Sequence, residues 1–210
     1  GAGVILACWS SSGLDKRIAL LGLKVIGTSL KMQLVVWFLL ATFMSAFLPN
    51  AVVAATLCPI AAAMLRYSHT DGESGQDTKP LYLIMLAIVW GAGLGGFGTP
   101  LGGAMNLVAI EYIEQLTGRE YMYITWTLRM LPYLMMLVTG TLVYLLLIKT
   151  KIKRLEGSRA YFVTAYRKLG KPRPAEIIAL GLFLAALALA FGETVEFFAI
   201  VAVLAINAAI

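Results

Sequence analysis

The sequence predicts an all-α, polytopic membrane protein with a re-entrant helical hairpin and a broken transmembrane helix. Three observations predict it. The chain is 60% hydrophobic and 13% charged, with a mean hydropathy of +0.84, whereas a soluble domain carries about 25% charged residues. The run 32–65 contains no Asp, Glu, Lys, Arg or His. It is too long for one crossing, which takes about 20 residues, and too short for two full crossings with a solvated turn. The run 81–110 is equally free of charge, and its centre is crowded with glycine. Composition also excludes some readings. The net charge of +6 is distributed along the chain as membrane topology requires and makes no nucleic-acid surface. Cys8 and Cys58 have neither metal nor redox spacing and read as buried thiols. Gly95 to Gly98 follows no strand, so it is not a dinucleotide fingerprint.

The elements follow in order. Residues 1–9 read as the end of a membrane helix, broken by Ser10-Ser11-Ser12-Gly13. The opening has no Met and no basic leader, so it is not a signal peptide. Both ends are expected to continue into a longer polypeptide. Asp15-Lys16-Arg17 opens a short segment, 18–26, which Lys24 makes amphipathic. Lys31 marks the entrance of the hairpin (31–66). Its tip is Ser45-Ala46-Phe47-Leu48-Pro49-Asn50-Ala51-Val52, polar and broken by proline. Residues 67–80 form an aqueous loop of turn formers that contains His69, the single histidine, which is expected to be solvated. The run 81–110 reads as a helix interrupted within Gly91–Gly103, around Thr99-Pro100, and resumed through Asn106. Residues 111–125 read as a mixed-charge connection turning at Thr117-Gly118, and 126–148 as a membrane helix. Tyr112, Tyr121, Tyr123 and Trp126 read as an interfacial belt. The basic arm 149–174 carries Lys149, Lys151, Lys153, Arg154, Arg159 and Arg167 among others, against Glu156. Residues 175–210 read as further spans around the short acidic turn at Glu193 and Glu196.

The basic arm orients the chain, because cytoplasmic segments carry the excess of Lys and Arg. Residues 149–174 are then cytoplasmic and 111–125 extracytoplasmic. Lys31 and Arg66 return to the cytoplasmic side, which excludes a single crossing between them. A re-entrant and a two-pass hairpin both satisfy this charge pattern.

Two broken elements therefore meet at depth, where irregular backbone persists only if it is buried in protein or lines a cavity. Helix N-termini favour anions, and unwound carbonyls coordinate small cations such as sodium. No ionised side chain is available in either run. Ser45, Pro49 and Asn50 at the tip are the place for a bound ion or solute. Asn50 offers both an acceptor and a donor, or else it caps the returning helix. Ser45 lines the ion site or bonds back to its own helix. The glycines mark a break or a close helix contact.

On these residues the chain resembles the divalent anion–sodium symporter family, carriers of dicarboxylates, citrate or sulfate within the ion transporter superfamily. That family's hairpin pattern, Ser-x-x-x-Ser-Asn-Thr with a later Pro-Ile, falls on Ser45 to Ala51 and on Pro59-Ile60. Its broken helix, Gly-Gly-x-Gly-Thr-x-x-Gly-(x)3-Asn, falls on Gly95 to Asn106. Pro49 stands where the family has Ser and Ala51 where it has Thr, so two hydroxyls are absent at the tip. The resemblance implies a sodium site from Ser45, Asn50, the carbonyl of Pro49 and the backbone of Gly95, Gly98 and Thr99. It implies substrate contacts at Asn50, Ala51, Gly102 and Gly103.

It further implies an elevator-type transporter, not an enzyme, in the plasma (inner) membrane. Residues 31–148 would be its transport domain and 149–174 its linking arm. Residues 1–30 and 175–210 would belong to the scaffold. Sodium, a small anion and the lipid bilayer would be the partners, in a homodimer, with no organic cofactor. The rival expectations are an arsenite or sodium–proton carrier of the same superfamily, a sodium-independent anion exchanger, and a membrane-embedded enzyme or structural subunit.

Overall fold

The computed structural model describes residues 11–24, 27–68, 79–121, 123–149, 154–155 and 157–190. Among them lie eight helices: α1 Leu14–Leu23, α2 Leu30–Ser45, α3 Asn50–Ser68, α4 Lys79–Gly98, α5 Ala104–Thr117, α6 Tyr123–Leu147, α7 Ser158–Lys168 and α8 Pro174–Ala190. No strand occurs among the described residues; the β-type contact there is an isolated bridge between Ser29 and Arg154. Among the described residues three helices are long and apolar enough to cross a membrane: α3 over Asn50–Tyr67, α4 and α6. The described part of the chain is thus all-helical, as befits an integral membrane protein. The readings of Cys8, His69, Lys151, Lys153, Glu156 and everything from 191 onward fall outside the described residues.

Helices α2 and α3 form the predicted hairpin around the tip 46–49. Trp37, midway along α2, meets Phe162 of α7 with ring centroids 5.9 Å apart. Tyr67, late in α3, meets Tyr161 of α7 at 5.6 Å. Both hairpin helices thus pack against α7. The second helix continues through Pro59, which lies inside it without ending it. A helix-interior proline costs about 3 kcal/mol. Val53, Leu57, Ile60, Ala61 and Met64, all buried along one side, offset that cost.

Helix α4 packs along α2 in the same direction. A Cβ on Gly91 would overlap the carbonyl of Phe38, and one on Gly95 would overlap the backbone of Thr42. The spacing of four residues puts both glycines on one helix face, which is how membrane helices bring their backbones together. Close helix contact thus accounts for Gly91 and Gly95, and α4 runs unbroken through both to Gly98. The break is confined to Thr99–Gly103 and is shorter than the glycine-rich stretch suggested.

Beyond it, α5 continues to Thr117, past the predicted boundary. Glu111, Glu114 and Gln115 are good helix formers, and Gln115 reaches Glu111 one turn back at 3.5 Å. Gly118, with φ +65°, ends α5 in the left-handed conformation that glycine takes at a C-terminus. Helix α6 starts at Tyr123, three residues before its predicted start, and returns along α4, with Tyr144 5.5 Å from Trp90. Lys31 donates to the carbonyl of Leu146 at 2.8 Å, so the hairpin entrance and the end of α6 lie at one level.

Candidate functional site: the hairpin tip against the helix break

The tip and the break touch. Ser45 ends α2 fully buried, and its hydroxyl donates to Asn50 Oδ1 at 2.8 Å. With its nitrogen turned inward, the Asn50 amide instead donates to Ser45 Oγ at 2.8 Å, to the carbonyl of Gly102 at 3.1 Å and to that of Ala92 at 3.3 Å. That orientation satisfies both ends of the amide and is the one the surroundings favour. Asn50 therefore reaches across from the hairpin to α4 and its break. A cap of α3 would have turned it back along its own helix. The carbonyl of Pro49 accepts from the amides of Val52 (2.9 Å) and Val53 (3.2 Å) and so opens α3.

From the other side, the Thr99 hydroxyl donates to the carbonyl of Ala46 in the tip. The amide of Gly102 reaches Thr99 Oγ1 at 3.2 Å and the Thr99 carbonyl at 3.3 Å, which makes the break a tight turn. Asn106 holds that turn shut: its buried Nδ2 donates to the carbonyls of Gly96 and Thr99, both at 2.7 Å. A helix end leaves carbonyls without intrahelical partners; the side chains of Asn106 and Trp126 take two of them. Trp126 donates its indole N–H to the carbonyl of Phe97 at 3.4 Å.

Glycine is required where the two elements cross. A Cβ on Gly96 would strike the Asn50 side chain, and one on Gly102 would come within 2.7 Å of Gly96. Ser45, Gly95, Gly98, Thr99 and Gly102 are buried, Pro49 and Gly103 are partly covered, and Asn50 and Ala51 are exposed. The site thus has a closed face rich in neutral oxygens and an open face. On the open face lie the first residue of α3, Asn50, and Gly103, which precedes α5, linked by the contact of the Asn50 amide with the Gly102 carbonyl. Free amides at helix N-termini carry partial positive charge and attract anions. Among the described residues no cluster of His, Cys, Asp and Glu could hold a metal ion, so any cation here would meet carbonyl, hydroxyl and amide oxygens.

The model of one protein family, described as citrate transporter, matches residues 1–210. The chain belongs to the citrate transporter family. Among its curated relatives, a sodium-dependent dicarboxylate transporter of Staphylococcus saprophyticus is 25% identical over 193 residues. The protein of the same description from Staphylococcus aureus is 24% identical over 193 residues. Each alignment covers 89% of this chain, which spans 37% of the length of these relatives. The family and these relatives are transporters, not enzymes. The resemblance drawn from the hairpin and the broken helix is borne out by this membership.

Within this member of the citrate transporter family, the sequence left several residues without their structural part. Asn106 closes the quoted motif, yet its two carbonyl contacts follow only from the fold. Trp126 and Tyr123 were read as an interfacial belt. Instead Trp126 is 5% exposed and bonded to the helix end, and Tyr123 is half-buried; Tyr112 is 65% exposed. Arg17 and Glu176, 159 positions apart, form a buried ion pair. No spacing rule connects two such distant positions.

Proposed function

We propose that this chain carries one half of the binding site of a secondary anion carrier, coupled to sodium. The observation that carries the reading is Asn50, whose single amide spans the buried oxygens of the tip and the exposed helix N-termini. Sodium would lie on the closed face among Ser45 Oγ, Thr99 Oγ1 and backbone oxygens near Ala46 and Gly98, and its arrival would turn the Asn50 amide so that Oδ1 faces the ion. Neutral oxygens from unwound backbone suit a monovalent cation at this depth. Pro49 would shape the turn, and Gly95 would let α2 approach α4. The anion, a di- or tricarboxylate or sulfate, would rest on the open face. There Asn50, the amide of Ala51 and Gly103 would meet it, with Gly102 buried behind them as the seat of Asn50. The names of the relatives support sodium coupling and a dicarboxylate; the family description supports citrate.

Transport would proceed by alternating access of elevator type in the inner membrane. The hairpin α2–α3 would be re-entrant, with its tip inside the bilayer. Residues 31–148 would move as a body, the basic arm 149–174 would lie in the cytoplasm, and α8 would belong to a fixed scaffold within a homodimer. Lys31, Leu146 and the start of the basic arm at one level support that orientation.

The test is the sodium dependence of citrate and succinate uptake by the full-length protein carrying Ser45→Ala or Thr99→Val. Each change removes one proposed ion donor and replaces no residue that would contact the anion. A rise of fivefold or more in half-saturating sodium, with the substrate KM at saturating sodium unchanged, is expected. Unchanged sodium activation in both variants would place the ion elsewhere.

A further inference from the structure

The basic arm leaves α7 and enters α8 through residues 169–173. Almost every backbone torsion in this joint is restricted. Pro172 and Pro174 fix their own φ, and Lys171 and Arg173, each preceding a proline, are confined to extended conformations. Pro174 stands as the first residue of α8, where proline is favoured. Gly170, at φ +64°, is the residue left free to swivel. The helix on one side of it is clamped to the hairpin. Gln33 of α2 donates to Ser158 Oγ at 2.9 Å, the amide of Leu155 donates to the Thr28 carbonyl at 2.7 Å, and Trp37 packs on Phe162. On the other side lies α8.

One guanidinium is seated on this joint. Arg17 of α1 donates to the carbonyls of Gly170 (3.1 Å), Leu169 (3.4 Å) and Lys171 (3.4 Å). It also forms a two-armed ion pair with Glu176 in the first turn of α8. Its planar fork can meet a carboxylate and several carbonyls together, which an ammonium cannot. The hydrogen bond to Glu176 raises the Arg17 pKa further above its ordinary value, so the charge is permanent. Two residues earlier, Asp15 accepts from Thr56 of α3 at 2.8 Å. Helix α1 thus joins the hairpin to the joint from a second direction.

We propose that Arg17 is a positioning residue: it braces the Gly170 swivel and sets the angle at which the hairpin-bearing body meets α8. The inference rests on the alternating-access reading. A joint free to take many angles would spend less time in the geometry from which the body moves. The anion and ion contacts at Asn50 and Thr99, on other elements, would be untouched.

The experiment uses the full-length protein in proteoliposomes, with radiolabelled citrate, and hydrogen–deuterium exchange on the same preparations. Arg17→Gln is expected to lower Vmax per folded molecule at least fivefold, with KM for citrate and half-saturating sodium within twofold of the parent. Amide exchange in the peptide spanning 165–180 should rise at least fivefold. Arg17→Lys, which keeps the charge but not the fork, should fall between the two in both readouts. If Arg17→Gln does not fold, Glu176→Gln takes its place; it weakens the seat from the other side and should shift both readouts in the same direction. Unchanged exchange and unchanged Vmax would overturn the proposal. So would a fall in uptake that only tracks the amount of folded protein, or a change confined to KM. If the parent protein moves no citrate, the carrier reading fails for that anion, and the exchange comparison still decides whether Arg17 braces the joint.

Discussion

Replacing Gly95 with alanine adds one methyl group where α2 and α4 are in backbone contact. The new Cβ would sit 2.8 Å from Thr42 Cα and 2.7 Å from Thr42 C. Carbon atoms rest about 3.5–4.0 Å apart, so the two helices must part by about 1 Å. Thr42 presents main chain here, which has no rotamer with which to yield. Overpacking of this kind costs about 1–3 kcal/mol. The displacement is passed to the tip a turn or two further on. There the 3.1 Å contact between Asn50 and Gly102 would open to about 4 Å and cease to be a hydrogen bond.

Gly93 is the internal control. It lies in the same helix two residues away, and a Cβ there meets nothing within 4 Å. Alanine at that exposed helical position should stabilise by about 0.5–1 kcal/mol. The two variants should therefore differ by about 1.5–4 kcal/mol, or roughly 3–16 °C in Tm at about 2–4 °C per kcal/mol. The assay is the thermal unfolding midpoint of the full-length protein in detergent, paired with uptake per folded molecule. Gly95→Ala should unfold earlier and transport poorly, and Gly93→Ala should do neither. Equal midpoints and equal uptake would refute the backbone contact between α2 and α4.

Three further outcomes are expected. Asn50→Ala should abolish uptake without lowering expression, measured as transport against membrane protein content; retained uptake would make Asn50 no more than a local support of the tip. Asn106→Asp removes the donor that both the Gly96 and Thr99 carbonyls use. Each buried carbonyl left unpaired costs about 1–3 kcal/mol, so the unfolding midpoint should fall by several degrees, and an unchanged midpoint would show the break stands without it. Gly170→Ala forces a side chain into the left-handed region at about 1–2 kcal/mol. It should accelerate amide exchange across 169–173; exchange equal to the parent's would mean the joint takes another conformation.

What the sequence disclosed, and what it did not, follows the range of the forces involved. Uncharged runs broken by Pro49 and by the glycines before Thr99 are local, so the hairpin, its tip and the break could be located from composition and turn chemistry alone. Their meeting was also legible, because both place polar groups and freed backbone inside uncharged runs, where such groups need partners. The exact extent of the break was not. Gly91 and Gly95 have the same composition signal whether they interrupt a helix or pack one, and only the neighbour α2 distinguishes the two. The return of the hairpin near residue 66 was legible in the charge of Arg66, whereas the way α3 passes through Pro59 unbroken depends on the buried apolar neighbours of that proline. The true end of α5 at Gly118 was marked by glycine, but the charges of Glu111 and Glu114 suggested a loop before it. Long-range polar pairs lay beyond reach altogether. Arg17 read as part of a charged helix entrance, and its partners Glu176 and the Gly170 carbonyl are fixed by the tertiary fold.

The most direct test of the central claim is uptake of radiolabelled succinate, citrate and sulfate into proteoliposomes containing the full-length protein, with and without an inward sodium gradient. The account predicts that at least one of the three accumulates only when sodium is present, and that Asn50→Ala eliminates that accumulation. Failure to move any of the three, or accumulation indifferent to both sodium and Asn50, would contradict it.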